Sequence, residues 1–240
     1  MSNHWSFEYL WNIQADHIDD VNRRKHGWSA VSCISLKGEQ DKRFFLKRQE
    51  NYFSKNLRHP FRGELTLVNE HRILSFLQAH GVGTPTIAFF SSQYSANQAR
   101  AILMTENLAG YHDLEYYLSH TDKFGVTERY QLIKSIALEV RKMHTAGVQS
   151  RSLYPKHIFI FKNQAEQAVL PFKIAMIDLE KSRFMGLKPW GFLRDLITLN
   201  SRTDQVELKH RVYFFKAYWG GRKLSWWQRY LMSLIAKYSA

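Results

Sequence analysis

A chain of 240 residues with a hydrophobic share of 45% and a charged share of 23% can bury a core, as one large domain or two small lobes, and this excludes disorder as its main state. Thirty-four Lys and Arg against twenty-one Asp and Glu leave a formal charge of +13, which attracts an anionic partner: nucleic acid, a phosphorylated glycolipid or an acidic membrane surface. A single cysteine, Cys33, excludes an intrachain disulfide, no Cys/His spacing reads as a zinc site, and neither a secretory leader nor an apolar run of membrane length is visible, so a cytoplasmic protein is expected.

After a mixed leader, Gly27-Trp28-Ser29 opens a segment whose Ala30 to Leu36 alternate as a half-buried strand does. Lys37 to Asp41 reads as a hairpin turn and Phe44 to Gln49 as the returning strand, carrying Lys47. From Thr66 to His80 the period becomes helical, with Val68, Ile73, Leu74 and Leu77 on one face, Glu70 nearby and Gly81 as a stop. Strands follow at Thr86 to Phe90 and Ala101 to Thr105, and Gly110 marks a crossing into a helix-rich half. There Asp113 to Ser119 and Glu128 to Thr145 carry helical periodicity, Ile158 to Phe161 and Ile174 to Ile177 read as a small hairpin, and helices resume from Gly191 to the end. The expected fold class is α+β, with a β-rich N-lobe over residues 1–107 and a helical C-lobe over 108–240.

That order of elements is the order of a bilobal protein-kinase-like fold. Its phosphotransfer chemistry needs an early-strand lysine to neutralise ATP phosphates, a helical carboxylate to hold the lysine, and a carboxylate after the C-lobe hairpin for Mg²⁺; Lys47, Glu70 and Asp178 stand in those places. The segments Gly27-Trp28-Ser29, Leu46-Lys47-Arg48-Gln49-Glu50, His59-Pro60-Phe61-Arg62-Gly63, Asn69-Glu70-His71, Leu153-Tyr154-Pro155-Lys156-His157-Ile158 and Ile177-Asp178-Leu179-Glu180-Lys181-Ser182-Arg183 resemble the Kdo/WaaP lipopolysaccharide kinase family, closest to its InaA-like branch. The resemblance implies ATP and Mg²⁺ as cofactors, nucleotide near the Asn107 to Tyr111 crossing, and as acceptor a sugar of the lipopolysaccharide core met at the inner face of the inner membrane. It further implies that Lys47 contacts the phosphates with Glu70 as its partner, that Asp178 binds metal, that His157 stands where protein kinases keep a metal-binding asparagine, and that Asp195 braces the catalytic loop.

Two departures matter. Where the family pattern has His-Arg-Asp this chain reads Ser150-Arg151-Ser152, so the catalytic aspartate position holds a hydroxyl that is no general base unaided, at a cost of roughly 10²–10⁴ in rate. Only Gly27 stands near the phosphate-binding turn, so backbone amides from Gly27 to Ser29 are left to cradle phosphates without a full glycine pattern. Hence two readings stay open, a sugar kinase and a nucleotide-binding pseudokinase with a regulatory or stress-related role. Taken singly, Lys47 also reads as a solvated strand-end lysine, Glu70 as a surface helix residue, Asp178 as a turn former, and His157 or Ser152 as structural groups; Arg151 either pins a loop or is exposed. Nucleic acid rests on charge alone and is disfavoured. The tail from Lys209 to Lys237 has no acidic residue and interleaves its cations with Tyr213, Phe214, Phe215, Tyr218, Trp219, Trp226, Trp227 and Tyr230, a composition that suits either an anionic membrane surface or a helix pair with aromatics in the core.

Overall fold

A computed structural model describes residues 5–18, 20–24, 27–36, 42–55, 61, 63–163, 171–185, 190–221 and 223–239. The turn expected at Lys37 to Asp41, and His59, Pro60 and Arg62 of the resemblance, lie outside the described residues. The chain is mixed α/β and divides into two units, one of Met1–Ser75 with Pro85–Leu108 and one of Phe76–Thr84 with Ala109–Ala240.

In chain order the first unit holds α1 (Phe7–Asn12), β1 (Asn22–Arg24), β2 (Gly27–Ser35), β3 (Arg43–Glu50), β4 (Phe53–Ser54), β5 (Glu64–Leu65), most of α2 (Thr66–Ala79), β6 (Ile87–Tyr94) and β7 (Ala99–Glu106). One antiparallel sheet runs β1-β2-β3-β7-β6. Strand pleating separates its faces: Phe44, Leu46 and Arg48 of β3 point one way, and Phe45, Lys47 and Gln49 the other. On the first face Phe44 and Leu46 join Ile34, Leu36, Ile102 and Met104 in a core closed by Phe7 and Leu10 of α1. The buried register of β2 is Ala30, Ser32, Ile34, so the serine lies inside, facing His17 at 3.2 Å, while Cys33 is exposed.

Six residues form too short a helix to persist by propensity, so tertiary contacts hold α1. Ser6 caps its first turn through Tyr9 N–H, and at the far end Arg48 Nη1 donates to the orphan carbonyls of Trp11 (2.8 Å) and Ile13 (2.9 Å). Burial lowers the pKa of this guanidinium, and the two carbonyls are its compensation. Arg48→Met, which keeps bulk but removes both bonds, is expected to cost about 2 kcal/mol. Limited proteolysis should then cut first between residues 5 and 20, and unchanged resistance there would refute the tether.

The second unit holds β8 (His112–Asp113), α3 (Leu114–Ser119), α4 (Val126–Thr145), β9 (Val148–Gln149), β10 (Ile158–Lys162), β11 (Phe172–Met176), β12 (Arg183–Phe184), α5 (Gly191–Ser201), α6 (Leu208–Trp219) and α7 (Trp226–Tyr238). Strands β10 and β11 form the expected hairpin, extended by β8, while β9 and β12 make a second ladder. Asp113 caps α3 through Tyr116 N–H. The aromatic tail divides: Phe215 and Tyr218 of α6 are buried, whereas Trp226, Trp227 and Tyr230 of α7 are exposed. Among the described residues no helix is long and apolar enough to cross a membrane.

The end of α2 belongs with this second unit. Gly81, at φ +67, stops the helix with Gly81 N–H on Gln78 O and Val82 N–H on Leu77 O. The inward face of α2 carries Leu67, Glu70, Ile73, Leu74 and Leu77, so Val68, assigned to that face from the periodicity, is corrected to a half-buried position and Leu67 replaces it. The pattern of four apolar residues fitted two helical phases, and β3 chooses between them.

Candidate active site

Each residue of the run Leu46 to Glu50 has a separate task. Leu46 is core and Arg48 holds α1, while Glu50 accepts from Gln98 Nε2 (2.8 Å) and Arg100 Nε (3.1 Å). Gln49, fully buried, caps α2: its Nε2 donates to Thr66 Oγ1 at 2.9 Å and its Oε1 accepts Leu67 N–H at 3.1 Å. That bond sets the start of α2, and one helical turn later comes Glu70; two residues before Gln49, on the same pleat face, comes Lys47. The strand therefore presents Lys47 Nζ to Glu70 Oε1 at 2.6 Å. Glu70 is 3% exposed and its Oε2 is buried without a hydrogen bond, so the contact with the lysine offsets the cost of burying this carboxylate.

Gly27 and Ser29 stand in the ladder, Gly27 opposite Arg24 and Ser29 between Asn22 and Gln49. A Cβ on Gly27 would meet Asn51 O at 2.2 Å, which gives the glycine a packing reason of its own.

In the second unit Asp195 of α5 is completely buried. Its Oδ2 accepts Ser150 N–H at 2.6 Å and its Oδ1 accepts Arg151 N–H at 2.7 Å, so this carboxylate fixes the loop in which Arg151 takes φ +62. His144 Nε2 lies 3.1 Å from Asp195 Oδ2 and its Nδ1 2.8 Å from Tyr218 OH. A neutral imidazole satisfies both contacts, taking the phenol proton at Nδ1 and donating from Nε2. Burial first, and then the charge of Asp195, raises the Tyr218 pKa and keeps that phenol protonated. His144 and Tyr218 were missed as bracing groups in the sequence; the signal was a histidine on the apolar stripe of α4 with Ala137 and Val140.

The loop then delivers His157. A short 3₁₀ turn over Pro155–His157 places its Nδ1 against Ser152 O at 2.9 Å, so Nδ1 carries a proton and Nε2 is left toward Asp178 Oδ2 at 3.3 Å. Asp178 has φ +55, and Ile177 N–H donates to His157 O at 3.0 Å, which ties the exit of β11 to the histidine. A carboxylate and an imidazole nitrogen facing one point suit either a His⁺–Asp⁻ pair or shared contact with a cation. Among the described residues no group of three His, Cys, Asp or Glu could enclose a metal. Two donors fit Mg²⁺ that brings its remaining oxygen ligands with a nucleotide and water, with Asp178 the hard donor and His157 its support. Ser152, at 2% exposure, has its carbonyl taken by His157 Nδ1 and Tyr154 N–H, and the imidazole serves that carbonyl rather than activating the hydroxyl.

Comparison with known proteins bears on the whole chain. The lipopolysaccharide kinase (Kdo/WaaP) family matches residues 8–218. The chain belongs to that family. Protein InaA of Escherichia coli (strain K12) is 30% identical over 183 residues, 75% of this chain and 78% of that relative. The solved structure of WaaP in complex with acyl carrier protein superposes with a TM-score of 0.71 over 97% of this chain and 90% of that one, at 21% identity, and so shares the fold. Within that fold the first unit carries the Lys47–Glu70 pair and the second the His157–Asp178 pair.

Proposed function

We propose that this protein binds ATP with Mg²⁺ and transfers the γ-phosphoryl group to a sugar hydroxyl of an envelope glycolipid of the lipopolysaccharide-core class. The Lys47–Glu70 pair carries the reading: a carboxylate 3% exposed is costly to bury and is compensated here by one lysine, an expense with a function if that ammonium must be held still for phosphate. Asp178 supplies the oxygen for the metal, His157 orients Asp178, and Asp195 keeps the loop from Ser150 to Ser152 in one conformation. Bound Mg²⁺ would neutralise phosphate charge as the bond to the leaving ADP oxygen breaks and the bond to the acceptor oxygen forms. Transfer of this kind rests on positioning and charge compensation, with the acceptor proton leaving late, so a serine at position 152 slows the reaction without removing its means.

A second reading, a nucleotide-binding pseudokinase with a regulatory or stress-related role, is favoured by one observation, the burial of Ser152 with the neighbouring His157 Nδ1 engaged by its carbonyl instead of its hydroxyl. Membrane proximity is part of the first reading. Exposed Trp226, Trp227 and Tyr230 share α7 and its approach with Lys223 and Arg229, a pairing of aromatics and cations suited to an anionic lipid surface at the inner face of the inner membrane.

Calorimetric titration with ATP, with and without Mg²⁺, tests the common core. Binding should require the metal and fall at least about tenfold in Lys47→Ala and Asp178→Ala. Affinity unchanged from the parent protein in both variants would refute the site. Ser152→Asp then separates the readings: raised turnover supports the kinase, and an inert variant that binds ATP normally supports the pseudokinase.

A further inference from the structure

Helix α5 touches the loop from Ser150 to Tyr154 twice, through Asp195 and, just past its last turn, through Arg202. An arginine at a helix C-terminus commonly serves the last carbonyls, but here other groups satisfy them. Ser201 Oγ donates to Thr198 O at 3.0 Å, Thr203 Oγ1 to Leu199 O at 2.9 Å, and the backbone N–H of Arg202 to Leu199 O at 3.2 Å. The Arg202 guanidinium instead lies over the Tyr154 ring, with Cζ 5.6 Å from the centroid. That ring is itself held in place. Tyr154 N–H donates to Ser152 O at 2.8 Å, Tyr154 O accepts His157 N–H at 2.9 Å, and the Tyr154 and His157 rings meet at 5.5 Å and 77°. Two contacts therefore lead from the guanidinium to the imidazole that faces Asp178.

None of the ion pairs among the described residues includes Arg202. Asp204, two residues on, uses its Oδ1 to accept Gln205 N–H at 3.0 Å. Arg202 is exposed and Tyr154 half-buried, so the stack opens to solvent. A ring face attracts the cation without taking up its in-plane N–H groups, and these donors stay available as a fork. The fork matches the two oxygens of a carboxylate or two of a phosphate. Because the ring orients the fork beforehand, less side-chain freedom is lost when an anion binds.

We propose that Arg202, positioned by Tyr154, is a specificity-determining residue that grips an oxyanion, carboxylate or phosphate, borne by the acceptor sugar. The stack stands on its own geometry; that a sugar carries the oxyanion rests on the proposed function. An acidic sugar held at Arg202 is anchored two contacts from His157 and Asp178, and a neutral sugar lacks that anchor. Arg202 takes no part in the transfer step, and Tyr154 acts through Arg202.

The test is an NMR titration of the full chain, without nucleotide, with glucuronate, glucose 6-phosphate, glucose and inorganic phosphate at constant ionic strength. One or both acidic sugars should bind more tightly than glucose and than inorganic phosphate, and the tighter of the two names the oxyanion. Arg202→Gln should weaken that binding about tenfold, and Arg202→Lys less, since it keeps the charge and loses the fork. Tyr154→Leu should weaken it roughly threefold while Tyr154→Phe retains it, because the ring face and not the hydroxyl holds the cation. Arg202 is exposed, so its variants should melt with the parent protein. Unchanged affinity in Arg202→Gln, or both acidic sugars bound no tighter than glucose, would overturn the site. Inorganic phosphate bound as tightly as the acidic sugars would overturn the sugar as carrier. A fall in ATP affinity in Arg202→Gln would assign the guanidinium to the nucleotide and overturn the proposal too. Failure of the parent protein to bind ATP, with acidic-sugar binding that Arg202→Gln weakens, would remove the phosphotransfer reading and leave the oxyanion site standing.

Discussion

Asp195→Ala should lower the unfolding free energy by about 4 kcal/mol, a fall in melting midpoint on the order of 10 °C for a chain of this size. The size follows from what the carboxylate leaves behind. Ser150 N–H and Arg151 N–H lose a charged acceptor at 2.6 and 2.7 Å, and His144 Nε2–H loses its partner inside the protein. Three buried donors without acceptors each cost about 1–3 kcal/mol, and partial relaxation reduces their sum. Asp195→Asn keeps one acceptor oxygen but turns an amide donor toward groups that already donate, so a loss of about half that size is expected. Tyr218→Phe removes only the outer bond of the relay, at about 1 kcal/mol. Guanidinium unfolding of the three variants checks the order Ala, Asn, Phe. A loss below about 1 kcal/mol for Asp195→Ala would mean that the loop is held by something other than Asp195.

Which parts of this arrangement were legible in the sequence depends on how local their causes are. The helix from Thr66 and its stop at Gly81 were readable because a 3.6-residue period and a glycine at φ +67 are both properties of a few neighbouring residues. The β10–β11 hairpin announced itself by two apolar runs of strand length. By contrast α1 is six residues long and exists through Arg48, thirty-five and more positions away, and β1 is an exposed edge of Asn22-Arg23-Arg24 with no alternation to see. Arg48 had a visible signal that went unread: with Phe44 and Leu46 it occupies the inward pleat, and a cation in that register requires an internal partner. Lys47, Glu70, Asp178 and His157 were expected as site residues through resemblance and order, and the structure pairs Lys47 with Glu70 in an ion pair and sets His157 Nε2 3.3 Å from Asp178 Oδ2. The bond from Arg183 to Gln149 had no such route, because it depends on β9 meeting β12 across 34 residues of chain.

Gly83→Ala should be more damaging than its small size suggests, because the added methyl has no room and the neighbour is backbone. Its Cβ would meet Ile174 O of β11 at 1.9 Å, far inside van der Waals contact, and the same residue donates its N–H to Glu139 Oε1 at 2.6 Å and accepts Met176 N–H at 2.9 Å. Relief requires β11 to shift, and a shift breaks one or both of those bonds, so a loss of at least about 3 kcal/mol is expected. Gly81, two residues earlier, is the control. A Cβ there meets nothing within 4 Å, and Gly81→Ala should cost only about 1 kcal/mol, from the left-handed backbone at φ +67. The Gly83 effect should also reach Asp178. Strand β11 runs through Met176 to Ile177, whose N–H holds His157 O, and thence to Asp178, so displacement of β11 should loosen the His157–Asp178 contact. Hydrogen exchange should accordingly show faster opening at Met176 and Ile177 in Gly83→Ala and unchanged opening in Gly81→Ala. Equal stability of the two variants would mean that β11 yields freely at Ile174, and with it the claim that Gly83 sets the position of Asp178 would fall.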